Sequence, residues 1–158
     1  MVYVEAANHP NGHGTGAGVT EVSKATDVTA VTPRDVVEIT LPASSAYLSV
    51  LRTATAGLAA RLDFTIDEIE DMRIAVDEAS AMLLPQARPG EDITCVFTLD
   101  SDSMTVSVSV ITIDGAEPPR DTFAWTVLTA LAGDVTSDTD ADKRVTITLC
   151  KHRSGPGR

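Results

Sequence analysis

The amino-acid sequence predicts an α+β fold, a two-layer sandwich in which helices cover one face of a mostly antiparallel sheet. Four segments alternate apolar and polar residues with the period of a strand, and three repeat apolar residues at the spacing of a helix. Their order along the chain is strand, helix, helix, strand, strand, helix, strand. Because the strands cluster instead of alternating with the helices, an α+β domain is expected.

The first predicted strand and helix follow one another closely. Residues 36–41 alternate with period two, and Pro42 ends the strand because it cannot donate a ladder hydrogen bond. Ser44 or Ser45 then caps a helix that runs to about residue 62. The stripe expected to be buried on this helix comprises Tyr47, Leu51, Ala54, Leu58 and Leu62.

Residues 65–84 are predicted to form the second helix. Thr65 followed by Glu68 is a capping box, in which the hydroxyl and the carboxylate satisfy backbone donors of the first turn. Pro85 stops the helix because it has no N–H and its ring clashes with the preceding turn. Its expected buried stripe comprises Ile69, Met72, Val76, Ala79 and Leu83.

The rest of the chain supplies three strands and one helix. Residues 93–99 and 104–110 alternate with period two and are joined by a short polar link, so they form an antiparallel hairpin. Residues 123–132 form the third helix, which Gly133 ends, and residues 145–149 form the last strand. The inward side of the third helix is expected to comprise Phe123, Val127, Ala130 and Leu131.

Length, composition and charge limit the class of protein. A chain of 158 residues corresponds to one domain, and 43% hydrophobic residues suffice for a core. The net charge of −11 argues against nucleic-acid binding, because phosphate contacts need clusters of Lys and Arg. No apolar run approaches the ~20 residues of a membrane-spanning helix. Cys95 and Cys150 are too few for a disulfide scaffold, so a reducing cytoplasm is the expected location.

Both ends of the chain are predicted to be tails around a domain at residues 35–151. Residues 1–34 lack a sustained period and contain a Gly-rich stretch, so they are expected to be disordered. The glycines alternate without a preceding strand or a Gly-Lys-Ser/Thr sequence, which favours a linker over a nucleotide loop. Of the three histidines, His9 and His13 lie in this predicted tail without carboxylates or thiolates at metal-site spacing, so a metal site that combines them with His152 is not expected. Residues 152–158 are expected to form a second tail.

Two stretches of the chain carry a resemblance to a known family. Residues 73–79 have the sequence Arg-Ile-Ala-Val-Asp-Glu-Ala, which resembles the start of the N-box of the anti-sigma factor serine kinases of the bacterial stress and sporulation type. These kinases are a branch of the GHKL ATPase superfamily. Residues 123–135 resemble the third helix of a divergent, actinomycete-type anti-sigma F subgroup. The resemblance covers about residues 36–151 and implies a GHKL (Bergerat) ATPase-like fold.

The same resemblance shows where the chain departs from active kinases. Active members carry an Asn one turn after the N-box glutamate as a Mg²⁺ ligand, and this chain has Met82, a soft thioether. At the adenine-binding motif Asp-x-Gly-x-Gly it offers only Asp114 and Gly115. The nucleotide lid shrinks to residues 116–122, and the sequence at 123–125, Phe-Ala-Trp, replaces the Gly-x-Gly phosphate cradle. These side chains are expected to fill the space of the triphosphate, so the ATP site is expected to be degenerate.

Four of these positions have two interpretations each. Glu78, four residues before Met82 on the same helix face, is either a vestigial catalytic base or an ordinary surface carboxylate. Asp114 and Gly115 are either nucleotide contacts or a turn after a strand. Arg52 matches a position that grips the sigma factor and its antagonist in the family, and its alternative is a solvated side chain.

The resemblance implies an anti-sigma factor that sequesters an RNA polymerase sigma factor and is released by a competing anti-sigma factor antagonist. It also implies a homodimer, and the degenerate site implies no ATP or Mg²⁺ cofactor. The alternative is an active ATP-dependent serine kinase that phosphorylates the antagonist with Glu78 as base. A third hypothesis, a small-molecule sensor that uses the remnant pocket, needs a convergent polar cluster, and the sequence offers none.

Overall fold

A computed structural model describes residues 4–5 and 34–155 of the chain. These residues form one six-stranded sheet and three α-helices. The strands are β1 (Val4–Glu5), β2 (Asp35–Pro42), β3 (Asp92–Leu99), β4 (Ser103–Ile111), β5 (Asp134–Thr139) and β6 (Arg144–His152). The helices are α1 (Leu48–Arg61), α2 (Ile66–Leu83) and α3 (Phe123–Ala132).

The sheet order is β1-β2-β3-β4-β6-β5, and every neighbouring pair is antiparallel. The predicted α+β class with a mostly antiparallel sheet is therefore confirmed.

The core lies between the helices and one face of the sheet. Alternate residues of β3, β4 and β6 are buried on this face, as the period-two patterns predict. The largest of these fully buried residues are Ile93, Phe97, Met104, Val106, Ile147 and Leu149. On the opposite face most positions are Thr or Ser, and hydroxyls pair across strands, as between Ser107 and Thr148 at 3.0 Å. Helices thus cover only one of the two faces.

Helix α2 begins and ends close to where the sequence predicts. The capping box is present, since Thr65 Oγ1 accepts a hydrogen bond from Glu68 N and Glu68 Oε2 accepts one from Thr65 N. The predicted stripe is confirmed at Met72, Val76, Ala79 and Leu83, which are buried, while Ile69 is half-buried.

The predicted stripes of α1 and α3 match the structure in part. Leu51 is buried, and Ala54, Leu58, Leu62 and Leu131 pack half-buried against the core. In α1 the buried residues are Leu51, Thr55 and Ala59, whereas Tyr47 lies exposed in a preceding 3₁₀ turn. Thr55 can be buried because its hydroxyl donates to the carbonyl of Leu51 at 2.7 Å. The expected inward position of Tyr47 is therefore wrong.

In α3 the prediction fails at Phe123, whose exposed fraction is 84%. Trp125, Leu128 and Ala132 form the buried stripe instead, at spacings of three and four residues. Phe123 lies two residues before Trp125, which is not a helical spacing of three or four, so its side chain falls outside this stripe and faces solvent. Ala130 is also exposed, contrary to expectation.

Two strands differ from the sequence prediction. Strand β5 was not predicted, and it pairs with the free edge of β6. Val4 and Glu5, inside the segment expected to be disordered, form β1 beside β2. The rest of that expectation, residues 1–3 and 6–33, lies outside the described residues, as do residues 156–158.

The beginning of the expected C-terminal tail is docked on the domain. Strand β6 includes His152, and Ser154 N donates to Glu68 Oε1 at 2.6 Å. Arg153 N donates to the carbonyl of Asp102 at 2.7 Å. The domain therefore extends beyond residue 151 to at least residue 154.

Candidate functional site

Helix α2 presents Glu78 and Met82, the two positions that the family resemblance places at the base and the metal ligand. Both side chains are half-buried, and Met82 packs against the hydrophobic core. Among the ion pairs of residues 34–155, none involves Glu78. A thioether is a poor ligand for a hard cation, so this face of α2 offers one carboxylate without the second oxygen ligand that Mg²⁺ would need there. In the same range no group of three or more His, Cys, Asp or Glu residues is arranged to hold a metal ion.

An ion pair joins α1 to α2 beside Glu78. Arg52 Nε lies 3.0 Å from Asp77 Oδ2, although the buried Nε has no aligned hydrogen-bond acceptor. The Arg52 side chain remains 43% exposed. Ile74, one turn before Asp77 and Glu78, is 45% exposed. Arg52 therefore lies at the α1–α2 junction, in contact with Asp77, and Ile74 is an exposed apolar residue one turn earlier on α2.

Asp114 and Gly115 form a tight turn after β4. Gly115 N donates to Thr112 Oγ1 at 2.8 Å, and Asp114 Oδ1 accepts from Ala116 N at 2.9 Å. Gly115 has φ of 76°, and a Cβ there would lie 3.3 Å from the Thr139 methyl group. The turn interpretation describes this geometry, because the Asp114 carboxylate is engaged with its own loop.

Residues 116–122, which the family resemblance assigns to the nucleotide lid, are held against β5 and α3. The Ser137 hydroxyl donates to Glu117 Oε2, and an Arg120 guanidinium nitrogen donates to the Ser137 carbonyl at 3.0 Å. The Ser137 hydrogen bond, followed by the nearby Arg120 guanidinium, lowers the pKa of Glu117. The Arg120 guanidinium also lies over the Trp125 ring, 5.4 Å from its centroid. Residues 117–120 are thus fixed by polar contacts and by one cation–π contact.

The N-terminus of α3 is capped by its own chain. Thr122 Oγ1 accepts a hydrogen bond from Trp125 N at 3.2 Å. Trp125 is only 8% exposed and lies beneath the Arg120 guanidinium. Phe123 points to solvent instead. The expectation that both aromatic side chains occupy the triphosphate position is therefore wrong for Phe123.

Sequence reasoning missed the cluster of Glu117, Arg120 and Ser137. The i, i+3 spacing of Glu117 and Arg120 is a signal for a local ion pair, and their side chains lie 3.3 Å apart. Ser137 could not be assigned, because it lies in the unpredicted strand β5.

The two cysteines lie in different environments. Cys95 is buried in the core, and burial raises the pKa of its thiol far above the usual value, so it stays protonated. Cys150 is half-buried, with Sγ 3.9 Å from His152 Nε2.

The sequence was compared with those of known proteins. The chain is 36% identical over 75 residues to the serine-protein kinase RsbW of Bacillus cereus strain ATCC 10987, which covers 46% of this chain and 47% of that protein. It is 35% identical over 75 residues to RsbW of Bacillus mycoides, with the same coverage. Over this stretch of about 75 residues, the chain is similar to the RsbW serine-protein kinases. It spans about half the length of these curated relatives, and no family model matches it.

A solved structure has a similar fold. The crystal structure of the RsbU and RsbW domains of Rv1364c from Mycobacterium tuberculosis matches 80% of this chain and 34% of that chain. The TM-score is 0.61 and the sequence identity is 20%. The α+β sandwich described above is thus a fold that also occurs in a protein with an RsbW domain. In the described part of the chain, no helix has the length and apolar character of a membrane span.

Proposed function

We propose that this protein is an anti-sigma factor that binds and sequesters an RNA polymerase sigma factor, and that an anti-sigma factor antagonist releases the sigma factor by competition. The sequence relationship to the RsbW serine-protein kinases is the observation that carries the proposal. Binding a protein partner requires an exposed surface and no nucleotide chemistry. The junction of α1 and α2 offers such a surface at Arg52 and Ile74.

We further propose that the ATP site is degenerate. Phosphoryl transfer depends almost wholly on positioning and on neutralising charge, so the metal ligand and the phosphate cradle matter most. The family resemblance assigns Met82 to the metal-ligand position, and Met82 packs against the core, while the Asp114 carboxylate accepts a hydrogen bond within its own turn. The resemblance assigns Trp125 to the cradle position; its ring lies beneath Arg120, and Thr122 caps the helix end. These contacts support loss of nucleotide binding.

The alternative function is an active serine kinase that phosphorylates the antagonist. Glu78 supports it, because the half-buried carboxylate has no ion-pair partner among residues 34–155 and could accept a proton from a hydroxyl. In that case Glu78→Gln would abolish phosphate transfer to the antagonist, and the exposed Glu70→Gln on the same helix would not.

ATP with Mg²⁺ separates the two functions. A ligand raises the melting temperature only through its occupancy of the native state, so no shift is expected up to about 5 mM ATP. Transfer of labelled phosphate from ATP to the antagonist is also expected to be absent. A Tm increase of several degrees, together with phosphate transfer that depends on Glu78, would contradict the degenerate site and support the active kinase.

Arg52→Glu tests the partner surface. A guanidinium that anchors an interface contributes about 2 kcal/mol or more, so the affinity for the sigma factor should fall about 30-fold. Arg61→Glu is the matched control, because Arg61 is the last residue of the same helix and is 70% exposed. Its ion pair with Asp35 is long, at 3.8 Å. Titration calorimetry gives the two affinities, and circular dichroism checks folding because Arg52 also pairs with Asp77. Equal affinities for the two variants would remove Arg52 from the interface.

The partner itself can be identified by affinity capture from the native cells, with and without ATP. A sigma factor retained in both conditions would support sequestration without nucleotide. A protein retained only with ATP would favour the alternative. Homodimerisation and the cytoplasmic location remain predictions, and light scattering on the purified chain measures the first of them.

A further inference from the structure

A basic groove lies away from the α2 face, at the end of the sheet where β4 ends and β6 begins. It has a volume of about 460 Å³ and is lined by Arg88, Ile111, Ala141, Asp142, Lys143 and Arg144. Ile111 and Arg144 are paired in the β4–β6 ladder. Their neighbours Val110 and Val145 are buried on the helix side, so Ile111 and Arg144 belong to the opposite face of the sheet. The groove is therefore separate from the face of the sheet that carries the core.

Backbone hydrogen bonds fix the positions of the three basic residues. Arg88 N donates to the Ile111 carbonyl at 2.9 Å, directly after the bridge between Ala87 and Thr112. The Lys143 carbonyl accepts from Thr112 N at 2.9 Å and from Thr112 Oγ1 at 3.0 Å.

The turn that precedes β6 is held by one carboxylate. Asp140 Oδ1 accepts hydrogen bonds from both Asp142 N and Arg144 N, each at 2.9 Å. Lys143 sits at φ of 63° in this turn. The backbone of each charged residue that lines the groove is therefore held by hydrogen bonds.

The charge of the groove contrasts with that of the whole chain. Three basic side chains and one acidic side chain line it, so the lining residues carry a net charge of +2 in a protein whose net charge is −11. The carboxylates of Asp140 and Glu91 lie beside the lining, one bonded to the backbone of the turn and the other near Arg88. The nearest carboxylate to Arg88 is Glu91 at 3.8 Å, a long contact. Lys143 Nζ donates to the Ile113 carbonyl at 3.1 Å, which is not a charge partner. Arg144 takes part in no ion pair within residues 34–155.

We propose that this groove binds a phosphate group, either inorganic phosphate or the phosphate of a small monoester. A phosphate dianion matches the net charge of the lining, and two guanidinium groups with an ammonium group supply the donors that phosphate oxygens accept. The volume lies in the range of small-molecule sites, about 300–1,000 Å³, so it leaves room for a short ester substituent over Ile111 and Ala141. The site does not rest on the proposed anti-sigma function.

Amide NMR titration of the whole chain with inorganic phosphate and with glycerol phosphate tests the site. Saturable shifts are expected at Thr112, Lys143 and Arg144, with a Kd of about 10 mM or tighter at low salt. Arg144→Gln removes one charged donor and should weaken binding about tenfold. Asp142→Asn removes the opposing charge and should tighten binding about threefold. The Asp142 side chain makes no hydrogen bond in the turn, where its backbone N–H is the donor.

Arg61→Gln is the matched control, because it removes an exposed guanidinium far along the chain in α1 and should leave the Kd unchanged. The proposal is overturned by equal affinities for Arg144→Gln and Arg61→Gln, by shifts that do not saturate below about 50 mM, or by shifts confined to other residues. A tenfold preference for glycerol phosphate would identify a small ester as the ligand, and equal affinities would identify the free anion.

Discussion

Glu68→Gln is expected to destabilise the domain strongly at neutral pH. Glu68 is 6% exposed, and its two carboxylate oxygens accept hydrogen bonds from Thr65 N at 2.7 Å and from Ser154 N at 2.6 Å. Burial alone would raise the pKa of Glu68, but the hydrogen bonds from Ser154 and Thr65 outweigh it and lower the pKa from 4.5 to about 2. A shift of this size corresponds to about 3 kcal/mol of folding free energy at pH 7.

The pH dependence follows from the direction of the shift. Because the folded chain holds the pKa of Glu68 below its unfolded value, the unfolded chain binds more protons between about pH 2 and pH 4.5. The contribution is therefore complete above pH 4.5 and is lost as the pH falls toward 2. At pH 3 the difference between the wild type and Glu68→Gln should shrink to about 1 kcal/mol.

Urea unfolding followed by circular dichroism at pH 7 and pH 3 measures both values, and both pH values avoid the isoelectric point near 4.5. Glu70→Gln is the control, since Glu70 forms an exposed ion pair with Arg73, and such pairs contribute about 0–1 kcal/mol. Equal losses for the two variants at pH 7, or a difference between wild type and Glu68→Gln that is the same at both pH values, would refute the reasoning.

Two further pairs of variants test the packing by urea unfolding. Trp125→Ala should cost about 3 kcal/mol or more because the side chain is buried, while Phe123→Ala should change stability by less than about 0.5 kcal/mol because it faces solvent; comparable losses would mean that α3 is turned the other way. Gly115→Ala should cost about 1–2 kcal/mol, since φ is 76° and the new Cβ would lie 3.3 Å from the Thr139 methyl group. Gly57→Ala, in α1 with open space around it, should instead stabilise by about 0.5–1 kcal/mol; opposite signs for the two glycines are the expected result, and equal signs would contradict it.

The sequence could predict the strands in which apolar and polar residues alternate, because the alternation indicates which face is buried. In β3, β4 and β6 every second residue is apolar, so the alternation alone indicates which side meets the helices. Strand β5 has the sequence Asp-Val-Thr-Ser-Asp-Thr, with one apolar residue in six. It is extended because β6 offers it a partner edge, and this tertiary contact cannot be seen in the local sequence.

In the candidate site, too, contacts within one element could be predicted and contacts between elements could not. Local spacing was enough to place Glu78 and Met82 on one face of α2, and the cap at Thr65 could be recognised from two residues. The contact of Arg52 with Asp77 joins two helices, and that of Glu117 with Ser137 spans twenty residues. Such contacts depend on how elements are arranged in space, and the spacing of residues within one element carries no information about them.

The position of β6 constrains when a growing chain can fold. This strand lies between β4 and β5, and Ser154, two residues past its end, completes the hydrogen bonding of Glu68 at the start of α2. On the ribosome, a nascent polypeptide that has emerged only as far as α3 has no partner for β4 on that side and no donor for this carboxylate. The domain is therefore expected to become stable only after residues 144–154 have left the exit tunnel, because the β4–β6 pairing and the Ser154 hydrogen bond to Glu68 both depend on them.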